Sequence, residues 1–235
     1  KGGAALKQLQ FYVGADAFRA GVRAYFKKYA WQNTTREDFI SAIADAASLD
    51  LSGWTRSWLQ SAGPNAVHAE YACSKGRIHG FKLVQEPSVS GMLSPHRTRV
   101  ALFNRDSLGK LRFVQSQDVS YSGAVTRVES LEGAACPDFV YPNYGDYDYA
   151  VFSLDPASLE VSKKSLTSIP DELSRLMVWD TLKMMVRDSK LSLNDYFDIA
   201  LPGIATESSD SVLAILLGNQ SALRDGYLSY LTPER

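Results

Sequence analysis

The chain has 235 residues, 45% of them hydrophobic and 22% charged, a balance that excludes disordered, collagen-like and fibrous classes and leaves room for two or three compact units. Its 25 Lys and Arg face 26 Asp and Glu for a net charge of -1, so nothing draws it globally toward nucleic acid or an anionic membrane, and neither is expected as a partner. Apolar runs such as Val212 to Leu217 fall far short of the ~20 residues that span a bilayer. The opening Lys1-Gly-Gly-Ala-Ala-Leu has no apolar signal core and no initiator Met, and with the equally abrupt 231–235 it reads as the edge of a segment from a longer chain. Cys73 and Cys136 are too few for a disulfide scaffold. Two buried thiols in a reducing, cytoplasmic setting are expected in preference to one bridge.

Residues 1–63 carry a helical period. Ala5, Leu6, Leu9 and Val13 recur on one face, and Gly14 supplies the stop. Asp16 is the expected cap of a second helix, whose Phe18, Val22, Tyr25, Phe26 and Tyr29 form an apolar stripe facing a core. Thr35 and Asp38 make a variant capping box for a third helix through Phe39, Ile40, Ile43 and Ala47, ending near Ser48. Asp50 is placed to cap a fourth, in which Trp54 and Trp58 share a face as core anchors and Ala62-Gly-Pro64 marks the end.

From about residue 67 to 154 the period becomes nearly two. Strands are expected over 67–73, 78–85, 98–103, 111–115, 125–129, 139–141 and 147–154, with turns at Ser74-Lys-Gly76 and Asp106-Ser-Leu-Gly109. About seven short strands in this length fit a β-sandwich. After Asp155-Pro156 the helical period returns. Pro170 at a first turn starts a long helix through Leu173, Leu176, Trp179, Leu182 and Val186. Ser192 with Asp195 caps another to Leu201, and one more runs from Asp210 to Leu217. The fold class is multi-domain α+β, divided at 1–65, 66–155 and 156–235 into helices, sandwich and the start of a helical array.

Catalytic patterns are missing. A helical zinc site needs two His at i and i+4 with a Glu between, so that both imidazoles meet one metal, whereas His68, His79 and His96 are scattered at a strand start, within a strand and in a loop. They read as surface or capping groups. His68-Ala-Glu70 imitates half of a zinc deaminase signature, but Cys136-Pro137 has the reverse of the order that chemistry requires. No nucleophile elbow and no Ser-His-Asp spacing occurs. Lys1-Gly-Gly lacks the rest of a phosphate loop and reads as a helix start. Tyr141-Pro-Asn-Tyr-Gly-Asp-Tyr-Asp-Tyr149 reads as a sugar-stacking or calcium loop, or as a turn whose tyrosines pack between domains. Its acidic spacing does not match a calcium loop, and packing is expected. Catalytic residues: none; metal ligands: none; substrate-binding residues are not identified.

The strings themselves go further. Lys1-Gly-Gly-Ala-Ala-Leu resembles a stretch of the M1 zinc aminopeptidases, the aminopeptidase N family. The likeness continues through Gly14-Ala-Asp-Ala-Phe-Arg-Ala-Gly21, Tyr25-Phe26, Asn33-Thr-Thr-Arg-Glu-Asp-Phe39, Asp50-Leu-Ser-Gly-Trp-Thr-Arg-Ser-Trp-Leu59 and Ala62-Gly63, and the 141–149 string is similar to one near the end of that family's sandwich. The resemblance is strongest to bacterial members. It implies the closing helices of a thermolysin-like catalytic domain, then a β-sandwich, then the start of a helical domain. It also implies a zinc-dependent, monomeric parent that removes amino-terminal residues from peptides. The family's zinc ligands and transition-state tyrosine would precede Lys1, so none is carried onto this chain. This segment is then expected to bind no zinc and to be inactive alone. The alternatives are a non-catalytic M1-like scaffold or a β-sandwich interaction protein presenting the tyrosine-rich loop.

Overall fold

The computed structural model describes residues 2–218; Lys1 and residues 219–235, with the closing 231–235 string, lie outside the described residues. Four helices come first: α1 (Gly2–Val13), α2 (Ala15–Lys28), α3 (Arg36–Ala47) and α4 (Ser52–Leu59). Gly14 breaks α1 from α2 with φ of 92°, a left-handed value that suits glycine. Gly14 itself is the cap of α2, and Asp16 lies inside the first turn rather than at the expected cap. The capping box of α3 is present: Thr35 accepts from the Asp38 amide and Asp38 from the Thr35 amide. Leu51 is the cap residue of α4, while Asp50 accepts from the amide and hydroxyl of Ser52. That helix stops at Leu59, ahead of Gly63.

The helical block has its own core of Ala5, Leu9, Ile43, Leu51, Trp54 and Trp58. Here α2 differs from expectation. Phe18 and Val22 pack against this core, but Phe26 is 66% exposed and only Gly21 of the helix is buried. Gly21 meets α3 so closely that an added Cβ would lie 2.8 Å from the Ala42 carbonyl oxygen. The α2–α3 contact therefore rests on backbone proximity as much as on the apolar stripe.

Seven strands follow: β1 (Ala66–Ser74), β2 (Arg77–Glu86), β3 (His96–Arg105), β4 (Leu111–Tyr121), β5 (Val125–Arg127), β6 (Phe139–Tyr141) and β7 (Val151–Ser153). They form two sheets, β5-β2-β1-β7 and β4-β3-β6, antiparallel except for the parallel pair β1–β7. Val67, Ala69, Phe81 and Leu83 of the first sheet pack against Val100, Leu102, Val119 and Val140 of the second. The other face of β3 and β6 is also buried: Ala101, Phe103, Phe139 and Tyr141 meet the C-terminal helices. Residues 147–150 are not strand, because the chain there is still closing a turn.

The closing helices are α5 (Pro156–Ser165), α6 (Glu172–Arg187), α7 (Leu193–Thr206) and α8 (Asp210–Gly218). Asp155 caps α5 with Pro156 in its first turn, and Ser192 caps α7 by accepting from the Asp195 amide. The cap of α6 is Asp171, which places Pro170 before the helix rather than in its first turn. Trp179 of α6 is fully buried and lies against Gly203 of α7, where a Cβ would come within 2.6 Å of the indole. Arg175 and Glu207 form a buried ion pair, with side chains 9% and 1% exposed, that ties the end of α7 to the start of α6.

The cysteines depart from expectation. Cys73 and Cys136 are joined in a disulfide, with Cys73 exposed at the end of β1. Backbone bonds from Ile78 to Ala134, from Gly133 to Ile78 and from Cys136 to Gly76 zip residues 133–136 onto the β1–β2 hairpin. The two Cα atoms are thereby held 5.9 Å apart, a bridgeable distance. That ladder, formed across 63 residues of sequence, is invisible to local reading.

Candidate functional site

The turn at 142–149 is where the three blocks meet. Its shape is set locally: Asn143 donates from Nδ2 to the Asp148 carbonyl and accepts the Asp148 amide at Oδ1, a reciprocal pair of 3.1 and 3.0 Å. Gly145 and Asp146 between them take φ of 81° and 56°, a conformation that glycine and aspartate tolerate best. The tyrosines then point to different neighbours. Tyr141 is buried and its hydroxyl lies 3.4 Å from that of Thr181 on α6. Tyr144 packs on Phe103 and Phe113. Tyr147 stacks on Phe11 of α1 with centroids 4.2 Å apart, and Tyr149 lies beside Trp58 of α4. The tyrosine-rich string is a packing hub.

Under this turn lies a buried polar network. His96 opens β3 instead of sitting in a loop, and is 1% exposed. Its Nδ1 is 2.8 Å from Asp148 Oδ1, and its Nε2 is 3.2 Å from Asn65 Oδ1. Asn65 donates from Nδ2 to the carbonyls of Glu86 and Met92, which fixes its oxygen toward His96 and the Ser94 amide. Both ring nitrogens of His96 thus face oxygens, those of Asp148 and Asn65. Asp148 also accepts from the Tyr149 amide and the Tyr121 hydroxyl. Burial, and secondarily the Asp148 charge, push the Tyr121 phenol well above its ordinary range. Trp58 closes the site edge-on to His96 at 4.9 Å and donates to the Pro95 carbonyl at 2.9 Å.

The other histidines are elsewhere. His68 on β1 lies 3.2 Å from Glu70, and His79 on β2 lies 3.1 Å from Glu132. In the β1–β2 register His68 faces Val84 and His79 faces Ala72, so they do not converge. Among the described residues no three His, Cys, Asp or Glu side chains are grouped to hold a metal ion, and no helix is long and apolar enough to cross a membrane. The donor sets present do not fit a zinc centre.

A second cluster escaped the sequence reading. Arg97 and Arg99, alternate residues of β3, both lie over the Phe11 ring, and Arg99 also lies over Tyr147. Arg99 takes both oxygens of Asp118, at 2.6 and 3.2 Å, and that bond raises its already high pKa. Lys7 of α1 pairs with Asp146 at 2.8 Å. The only local signal was the alternation of Arg with buried His96 and Thr98 along one strand.

The model of the peptidase family M1 domain matches residues 1–58, the helical block. Aminopeptidase N of Streptomyces lividans is 35% identical over 224 residues, covering 92% of this chain and 26% of that protein. The chain is a homologue of the M1-family aminopeptidases. Aminopeptidase N of Caulobacter vibrioides is 39% identical over 72 residues, 31% of this chain and 8% of its own length. The crystal structure of Legionella pneumophila aminopeptidase A aligns over 92% of this chain and 25% of its own, with a TM-score of 0.59 and 14% identity, a likeness of fold. The chain spans about a quarter of the length of the Streptomyces and Legionella proteins.

Proposed function

We propose that this chain is the structural middle of a zinc metallo-aminopeptidase that removes amino-terminal residues from peptides. Residues 1–65 form the closing helices of its catalytic domain, 66–155 its β-sandwich and 156–235 the beginning of its helical domain. The observation that carries this is the identity with an aminopeptidase N across 92% of the chain, joined to the helix–sheet–helix order. Burial supports it. Leu6, Phe26 and Trp31 of the helical block are 46%, 66% and 104% exposed, side chains that a finished catalytic domain would cover.

The chain's own residues support and position; the zinc and the chemistry it supplies belong to parts of the parent outside this chain. The parent works as a monomer. A cytoplasmic location belongs to the same proposal, and the Cys73–Cys136 disulfide bears against it, since such bridges persist mainly in oxidising compartments; counting free thiols in protein from its native host decides the point.

The test is to compare this chain with the longer protein for binding of a hydrophobic dye and for Trp31 fluorescence. The chain alone should bind dye strongly and show a red-shifted, quenchable Trp31, both lost in the longer protein. Equal exposure of Trp31 in both would favour an interaction protein.

A further inference from the structure

At the seam between α1, the α1–α2 turn and β3 there is a cavity of about 450 Å³, within the range of small-molecule sites. Its lining includes Phe11, Tyr147, Gln10, Lys7 and Arg97. The stacked rings of Phe11 and Tyr147, with planes 13° apart, offer an apolar wall. The charge around it does not cancel. Lys7, Arg97 and Arg99 bring three cations against the two carboxylates Asp118 and Asp146.

Arg97 is the residue through which that surplus acts. Asp118 already receives two bonds from Arg99, leaving Arg97 at 3.6 Å, beyond hydrogen-bond reach. Among the described residues its hydrogen bond is one long contact, 3.3 Å from Nη1 to the Phe11 carbonyl. A guanidinium has five N–H donors in a planar fork that matches a carboxylate. This one is held in place by the Phe11 ring, 5.1 Å from its centroid, and its side chain keeps 33% of its surface in solvent.

We propose that this cavity is a binding site for a carboxylate carried on an apolar or aromatic group, with Arg97 holding the carboxylate and Phe11 and Tyr147 receiving the apolar part. A peptide's carboxyl-terminal residue and an acidic side chain beside an aromatic one both present that chemistry. The site lies on α1, β3 and the 142–149 turn, and it does not depend on the peptidase reading. Because it is open to water, affinity is expected in about the millimolar range, weakening with salt.

Saturation-transfer NMR on the full-length protein tests it with three probes: N-acetyl-phenylalanine, its amide, and N-acetyl-aspartyl-phenylalanine amide. Binding of the first but not its amide assigns the site to a carboxyl terminus; binding of the third alone assigns it to an acidic side chain. In either case Arg97→Gln should weaken binding at least tenfold. Arg97→Lys, which keeps the charge and loses the fork, should weaken it several-fold with an unchanged melting temperature, and it decides the matter if Arg97→Gln does not fold. Binding of the plain amide as tight as the acid, no binding of any probe, or affinity indifferent to both substitutions would overturn the proposal.

Discussion

Asp148→Asn is the substitution that probes the three-way junction most cleanly. Asparagine has the shape of aspartate, and its oxygen can still receive His96 Nδ1 and the Tyr149 amide, which now share Oδ1. Its amide can donate to Tyr121, whose hydroxyl turns to accept in place of donating. The three contacts can be kept, but the Tyr121 hydroxyl hydrogen loses its acceptor as the charge is lost. His96, 1% exposed, would then face a neutral amide in place of the carboxylate, and disturbing a buried hydrogen-bonded pair in this way costs about 1–3 kcal/mol. For a chain of this size that corresponds to a fall in Tm of roughly 2–12 °C. Urea unfolding followed by tryptophan fluorescence is the assay, since Trp58 sits edge-on to His96. Adding His96→Gln to Asp148→Asn should cost less than the sum of the two single losses, because both substitutions disturb the same contact. A loss below about 1 kcal/mol, or full additivity of the two substitutions, would refute the coupling of His96 to Asp148.

Three further outcomes are expected. Gly203→Ala should destabilise by about 1–3 kcal/mol in thermal melts, because the new methyl has no room against the fully buried Trp179 ring. Reducing Cys73–Cys136, or substituting both by Ser, should lower stability by about 4 kcal/mol, the chain-entropy value for a loop of this span, read as a shift in urea midpoint. At the start of α3 the Thr35 amide, then the Tyr29 and Thr35 hydroxyls, hold the Asp38 carboxyl below its ordinary range. Its contribution is therefore present at neutral pH and fades as pH falls below the usual Asp value and through the lowered one. The melting difference between the parent chain and Asp38→Asn should shrink in acid; a constant gap would contradict the capping-box reading.

Much of this architecture was legible because its signals are local. Thr35 with Asp38, Ser192 with Asp195 and Asp155-Pro156 mark helix starts by chemistry that acts over three or four residues. The change of period near residue 66 reports where one-sided helical burial gives way to strands. What was missed is long-range. Nothing near Cys73 says that residues 133–136 will be zipped beside it. His96 reads as a loop residue until Asn65 and Asp148, 31 and 52 positions away, converge on it. Phe26, one of an unbroken stripe, is exposed because the period fixes which side is apolar and not what covers it. The basic seam of Arg97, Arg99 and Lys7 exists only once β3 and α1 are side by side.

On the proposed function this chain supports a zinc aminopeptidase without holding its metal centre. Zinc content and hydrolysis of aminoacyl amides, measured together on the purified 235-residue chain after dialysis against a weak chelator, address it directly. No stoichiometric zinc and no turnover are expected. One tightly held zinc per chain, or measurable hydrolysis from homogeneous material, would contradict it.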